Sequence, residues 1–168
     1  VVLTSVTRDY LPAGGAQYFV NAIAAIRRRK PDVVCELLIP DFNARPAALE
    51  LIYNCNPAVI GHNIETVPRL YPLIRGQADY HCSLLVLKYF TDLPKARPAK
   101  SQIKHLKSGL MVGLGETPEE VVAVMADLKQ TGCSWITIGQ YLAPSPKHYP
   151  VQQYISPAEF AYFQNQAE

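Results

Sequence analysis

Lys107-Ser-Gly-Leu-Met-Val-Gly-Leu-Gly-Glu-Thr117 reads as a buried strand, a glycine turn and the start of a helix. Leu110, Met111, Val112 and Leu114 supply the apolar run. Gly113 and Gly115 accept backbone angles that side chains resist, and they let another molecule approach the main chain closely. Thr117 is placed to cap the next helix, Pro118 fits its first turn, and Glu120 completes a T-x-x-E capping box.

The same alternation recurs on both sides of this stretch. Upstream, Val1 to Val6 is a short β-branched run and predicts a strand. Turn chemistry at Leu11 to Gly15 leads into a helix from Ala16 to Arg29, with Phe19, Ile23 and Ile26 on one stripe and Pro31 as its stop. Val33 to Ile39 predicts a second strand, Arg45 to about Asn54 a helix, and Ala58 to Asn63 a third strand. A helix is expected over about Asp79 to Phe90. Residues 91 to 106 carry Pro94 and Pro98 and read as a surface loop, long for a compact domain. Downstream, Pro118 to Gln130 is apolar at helical spacing, Gly132 suits its carboxyl end, and Trp135 to Ile138 predicts a fifth strand. Ser156 caps a last helix that Pro157 starts.

Strand followed by helix, five times over, argues for an α/β fold with a parallel sheet and helical crossovers. No G-x-G-x-x-G follows the first strand, which weakens a dinucleotide-binding reading. Five strands are too few for a closed eight-stranded barrel. The expectation is one incomplete (β/α) barrel domain over residues 1–168, with about five parallel strands present and a first strand lying upstream. The start inside a strand-like run and the stop inside a helix-like run suggest a portion of a longer protein.

Bulk composition narrows the classes. Hydrophobic residues make up 49% of the chain and charged residues 18%, enough to build a core and too ordered a balance for a disordered segment. A net charge of +2 points to no polyanionic partner, so no nucleic acid is expected. The run Arg27-Arg28-Arg29-Lys30 is better read as the cationic end of a helix than as a nucleic-acid patch. The four cysteines, Cys35, Cys55, Cys82 and Cys133, stand about 20 residues apart or more and match no zinc, redox-pair or iron–sulfur spacing. They read as buried thiols in a reducing compartment. No apolar run reaches the roughly 20 residues of a membrane span, and no signal peptide is legible.

Parallel α/β folds place their sites at the carboxyl ends of the strands. Those ends collect Thr7, Arg8 and Asp9; Asp41; Asn63 and Glu65; Gly115 and Glu116; and Gln140 and Tyr141. The set is polar and of mixed charge, without a nucleophile beside a base, and suits a polar, zwitterionic cofactor. Asn63 and Glu65, two apart, face the same way on a regular strand, and an amide beside a carboxylate suits a vicinal diol. Arg8 is placed to hold a carboxylate. His148, in a proline-rich loop, is a candidate for substrate contact. Lys107 falls at the opposite, amino end if the fourth strand starts with it. His62 reads as a packed strand histidine. His62 and Glu65 fall on opposite faces of a strand, with no third ligand nearby, so no metal is expected there. Binding of a phosphate by the Gly113 to Thr117 turn is a lesser alternative.

Several segments, in order, resemble the lipoyl synthases, enzymes of the radical S-adenosylmethionine superfamily. They are Val1-Val-Leu-Thr-Ser-Val-Thr-Arg-Asp9, Leu38-Ile-Pro-Asp-Phe42, His62-Asn-Ile-Glu-Thr-Val-Pro-Arg-Leu-Tyr71, Ala78-Asp-Tyr80, Lys107 to Thr117, and Thr137-Ile-Gly-Gln-Tyr-Leu142 followed by Pro146-Lys-His148. Together they cover nearly the whole chain. The resemblance implies a partial (β/α)6 barrel in which S-adenosylmethionine is cleaved reductively to a 5′-deoxyadenosyl radical. That radical removes hydrogens from C6 and C8 of a protein-bound octanoyl chain, and an auxiliary cluster donates two sulfurs. It implies two 4Fe–4S clusters, an octanoylated lipoyl-domain or H-protein substrate, an electron donor such as ferredoxin or flavodoxin, and a cytoplasmic location (mitochondrial or plastid in a eukaryote). Asn63 and Glu65 would hold the ribose hydroxyls, and Gly113 and Gly115 would shape the strand end near the cofactor. Arg8, Gln140 and Arg69 would lie around the cofactor or substrate.

The chain also departs from the family. The C-x3-C-x2-C motif for the radical-generating cluster, the cysteine group for the auxiliary cluster and the terminal Arg-Ser-Ser-Tyr are not in it. Tyr10 stands where the family has Asp, and Lys95 to Leu106 differs from the usual link before Lys107. The chain alone is therefore expected to be inactive. The alternative is a non-catalytic, truncated or degenerate homologue.

Overall fold

In the computed structural model, which describes residues 1–96 and 103–168, five strands lie side by side in the order in which the chain makes them. They are β1 (Val2–Thr4), β2 (Glu36–Leu38), β3 (Val59–Gly61), β4 (His105–Val112) and β5 (Trp135–Gln140). Every neighbouring pair is parallel. Right-handed crossovers in unbroken sequential order carry all the connections to one face of the sheet. That is the winding of a barrel wall, whereas a doubly wound sheet reverses direction part-way. The fold is a partial β/α barrel.

The helices are α1 (Ala16–Arg29), α2 (Pro46–Asn54), the short α3 (Tyr71–Ile74), α4 (Tyr80–Ala96), α5 (Pro118–Gln130) and α6 (Pro157–Ala167). Register places Leu3, Leu37, Ile60 and Leu106 in one row across four strands. This row packs against Phe19 and Ile23 of α1, Leu49 and Ile52 of α2, and Val86 and Phe90 of α4. A second cluster sets Leu110, Val112 and Leu114 against Val121, Val124, Met125 and Leu128 of α5 and Phe163 of α6. Burying each large aliphatic side chain contributes roughly 1.5–3 kcal/mol.

The alternate residues of the strands face away from the helices. Thr4, Thr137 and Gly139 are exposed there, and Trp135 is 46% exposed. Lys107, two residues into β4 rather than at its start, lies on this open face and pairs with Glu36 of β2 at 3.0 Å. Gly61, paired with both Leu38 and Lys107, puts no side chain between them.

Helix ends follow the sequence closely. Thr117 and Glu120 form the expected capping box on α5, and Ser156 and Glu159 form a second on α6. Gly132, at φ 84°, follows the last turn of α5. Arg27 from the basic end of α1 donates to the carbonyls of Cys55 at 2.5 Å and Asn56 at 2.7 Å, just past the end of α2. There the cation meets the negative end of the α2 dipole.

Two expectations need correction, and one short helix is new. Residues 91–96 are helical, because Lys88 and Asp92 form an i,i+4 pair at 3.4 Å and Leu93 packs on the first core cluster. Pro94 falls in the last turn instead of ending the helix early, while His105 and Leu106 already belong to β4. The rest of the expected loop, residues 97–102, lies outside the described residues. Short helix α3 was not foreseen; Pro72 serves at its start. Of the cysteines, Cys35 and Cys55 are buried, but Cys82 and Cys133 are partly accessible.

Candidate functional site

Beyond Gly61, the pairing of β3 with β4 slips by one residue. Gly61 pairs with Lys107, but Glu65 bridges Leu110. His62 N donates to Lys107 O at 3.0 Å and Glu65 N to Gly109 O at 2.9 Å, so three steps on one strand match two on the other. This is a β-bulge. The amide of Ile64, displaced from the ladder, donates to Ser108 Oγ at 3.1 Å, and Ser108 is fully buried. The chain then turns: Thr66 N donates to Ile64 O at 2.9 Å around Glu65, whose φ is 66°. That is the rarer γ-turn with positive φ at its centre, a strained conformation for a residue with a Cβ.

The slip interrupts the two-residue alternation on which the pairing of Asn63 with Glu65 was argued. The Asn63 amide lies directly over Gly109, where an added Cβ would come within 2.7 Å of its Oδ1. Glu65 is half-buried. Neither side chain makes a hydrogen bond or ion pair with the described residues. An amide and a carboxylate, both unspent, thus stand at the carboxyl ends of the parallel strands.

Around them the other candidates are already committed. Gly113 (φ 97°) and Gly115 (φ 99°) make the turn after β4. Glu116 folds back so that its carboxylate accepts from Gly113 N at 2.5 Å and Leu114 N at 2.9 Å. Arg69 lays a bidentate fork on Glu120, at 2.8 and 2.9 Å, and also donates to Gly115 O at 2.9 Å. The Arg69 guanidinium and the Thr117 amide hold the Glu120 carboxyl below its usual range. With Glu116 on the turn amides and Glu119 and Glu120 in the first turn of α5, this end repels an anion, against the phosphate alternative.

Gln140 braces the strand end. Its amide donates to Tyr141 O and Gln153 O at 3.0 Å each, and its oxygen accepts from Ile155 N at 2.8 Å. Arg8 donates to the hydroxyl of Tyr10 at 3.0 Å and borders a cavity of about 430 Å³ with Thr4, Tyr18 and Phe19, away from Asn63. His148 Nδ1 is 2.9 Å from Ser145 Oγ in an exposed turn. Asp41 Oδ1 accepts from Asn43 N at 2.9 Å and, with Thr7, Asp9 and Arg75, borders a second cleft of about 360 Å³.

His62 is 2% exposed, with Nδ1 2.9 Å from Ile39 O and Nε2 without a partner. Burial pushes its pKa down, so the ring stays neutral. Burial raises the Cys55 thiol to about 11. Among the described residues, no group of three or more His, Cys, Asp or Glu side chains is arranged to hold a metal. Sequence reasoning passed over Ser108, Tyr71 and Arg75, which touch the main chain beside Glu65. A lone serine in an apolar strand and a Tyr-x-x-x-Arg spacing were the available signals.

No family model matches the chain. It is 50% identical over 167 residues to the lipoyl synthase of Caldicellulosiruptor saccharolyticus, a match spanning 99% of this chain and 56% of that protein. To the lipoyl synthase of Geobacter sulfurreducens it is 50% identical over 168 residues, 100% of this chain and 53% of that one. To that of Proteus mirabilis it is 48% identical over 168 residues, 99% and 50%. The chain spans about half the length of the curated relatives it matches. No helix among the described residues is long and apolar enough to cross a membrane.

Proposed function

We propose, from a chain that resembles the lipoyl synthases along its whole length, that it forms the S-adenosylmethionine pocket of such an enzyme. The observation that carries this reading is the unspent amide and carboxylate of Asn63 and Glu65 on a bulged, strained strand end. Glu65 accepts from the ribose hydroxyls and the Asn63 amide donates to them. Gly109, without a Cβ, leaves the amide room to lie flat on the sheet. Gly113 and Gly115 form the wall that Gln140 braces, and Arg8, bordering a different cavity, is left to hold a carboxylate of the cofactor or substrate. Arg69 and His148 flank the entering substrate.

When bound, S-adenosylmethionine would supply a 5′-deoxyadenosyl radical for removal of hydrogen at C6 and C8 of a protein-bound octanoyl chain, where two sulfurs are inserted. The residues present fit that cofactor. They do not fit an iron–sulfur cluster, since Cys35, Cys55, Cys82 and Cys133 form no common ligand group among the described residues. Sulfur insertion therefore needs residues beyond these, and the chain alone is inactive. The reading carries with it an octanoylated lipoyl-domain or H-protein as substrate, a ferredoxin or flavodoxin as electron donor, and a cytoplasmic or organellar setting.

Calorimetric titration with S-adenosylmethionine tests the pocket. Asn63→Ala should weaken binding by about threefold to tenfold and Glu65→Ala by about tenfold or more, the range for neutral and charged hydrogen bonds respectively. Unchanged affinity in both variants would overturn the assignment.

A further inference from the structure

We propose that Tyr71 and Arg75 are positioning residues that clamp the Ile64 carbonyl and thereby fix the left-handed turn presenting Glu65. This rests on the reading of Glu65 as a cofactor ligand. The Ile64 carbonyl accepts from Thr66 N at 2.9 Å, from the Tyr71 hydroxyl at 2.6 Å and from Arg75 Nη1 at 3.4 Å. Arg75 Nη1 also reaches Asn63 O at 3.2 Å and the Tyr71 oxygen at 3.1 Å, with its guanidinium 5.4 Å from the centre of the Tyr71 ring. From the other side Ser108 Oγ holds the Ile64 amide. Both polar groups of the residue before Glu65 are thus held by side chains.

The clamp is anchored in the helical layer. The buried Tyr71 ring meets Tyr80 edge-on, 5.4 Å between centroids, and the Tyr80 hydroxyl donates to Asp127 of α5 at 2.8 Å. Apart from the bond between Arg75 and the Tyr71 oxygen, every bond of the clamp goes to main-chain atoms of Asn63 and Ile64, and none touches the side chains of Asn63 and Glu65. A φ of 66° at Glu65 is resisted by its Cβ, so it persists only where its neighbours over-determine it. Tyr71, Arg75 and Ser108 do so here.

A double-mutant cycle in the full-length protein tests this, with S-adenosylhomocysteine as a redox-inert probe and calorimetric Kd as the readout. Glu65→Ala should weaken binding about tenfold or more, and Tyr71→Phe, which removes one hydroxyl and keeps the ring, about threefold to tenfold. The double variant should bind no worse than Glu65→Ala alone, because Tyr71 acts only through Glu65. Losses that multiply, or an unchanged Kd in Tyr71→Phe, overturn the inference. If Glu65→Ala alone leaves Kd unchanged, the reading of Glu65 as a cofactor ligand fails instead, and hydrogen exchange at the Thr66 amide tests the clamp by itself. That exchange should quicken about tenfold in Tyr71→Phe with no ligand present, and unchanged exchange overturns the clamp. Arg75→Lys keeps the charge but loses the reach to two carbonyls; it should show the same pattern and replaces Tyr71→Phe if that variant folds poorly.

Discussion

Gly109→Ala separates the Asn63 amide from the stability of the sheet that carries it. The backbone at Gly109 lies outside the left-handed region, so alanine adds no conformational strain there. The new Cβ would stand 2.7 Å from Asn63 Oδ1 and 2.9 Å from its Cγ, closer than real contacts allow. The atoms in the way are the amide of a side chain without hydrogen bonds to the described residues, and no main-chain atom is among the three nearest. The amide therefore swings aside at little cost to folding, below about 1 kcal/mol, the range of a modest rotamer adjustment. A 1 kcal/mol loss would lower Tm by only about 2–4 °C in a protein of this size. The ligand loses one neutral hydrogen bond, about 0.5–1.5 kcal/mol, or about twofold to tenfold in affinity. Calorimetry with S-adenosylmethionine, paired with thermal unfolding, reads both quantities. Full affinity with a Tm depressed by about 8 °C or more would refute the reasoning, for it would mean that the sheet had moved and not the amide.

Gly113→Ala should behave in the opposite way. At φ 97° the substitution strains the backbone, and its Cβ would run into Gln140 and the Gln153 carbonyl, so a loss of about 3 kcal/mol or more is expected in denaturant titration. Gln140→Ala removes two bonds to carbonyls and leaves the Ile155 amide unpaired. It should cost about 1–3 kcal/mol and expose residues 151–155 to proteolysis; unaltered protection there would deny Gln140 its bracing role. His62 gives a pH signature. Its folded pKa lies below 6.5 through burial, so below about pH 6.5 the unfolded chain takes up a proton that the folded chain refuses. Stability should fall from there toward the folded pKa by up to about 1.4 kcal/mol per pH unit, and His62→Gln should flatten that slope in denaturant midpoints between about pH 7 and 5.5.

The parts legible in the sequence are those governed by neighbours along the chain. Thr117 with Glu120 fixed the start of α5, Pro31 marked the end of α1, and strand–helix repetition gave the parallel sheet. The bulge was not legible, because it depends on Ser108 reaching across from another strand to take the Ile64 amide. Asn63 and Glu65 were picked out as candidates, but through an alternation that the bulge interrupts. Arg69 and Gln140 were read as lying around the cofactor or substrate, and His148 as a candidate for substrate contact. The structure spends the polar groups of Arg69 and Gln140 on Glu120 and on the backbone around Gln153 and Ile155, partners that only the tertiary fold brings near, and that of His148 on Ser145 in a local turn. The length of α4 was missed because Pro94 outweighed the packing of Leu93 in a local reading.

The sequential strand order also bears on how the chain is made. Each strand pairs with the one synthesised just before it, as Leu37 does with Ile60 and Lys107 with Trp135. A nascent chain emerging from the ribosome can lay down one β/α unit against the last, with its partner edge already exposed and no later strand to wait for. Each closure spans one crossover, so the entropy of joining distant segments is met in small instalments. Growth by accretion leaves a live edge at every stage, as β4 does until β5 pairs with it, and the time until each edge is covered sets the window for misassembly.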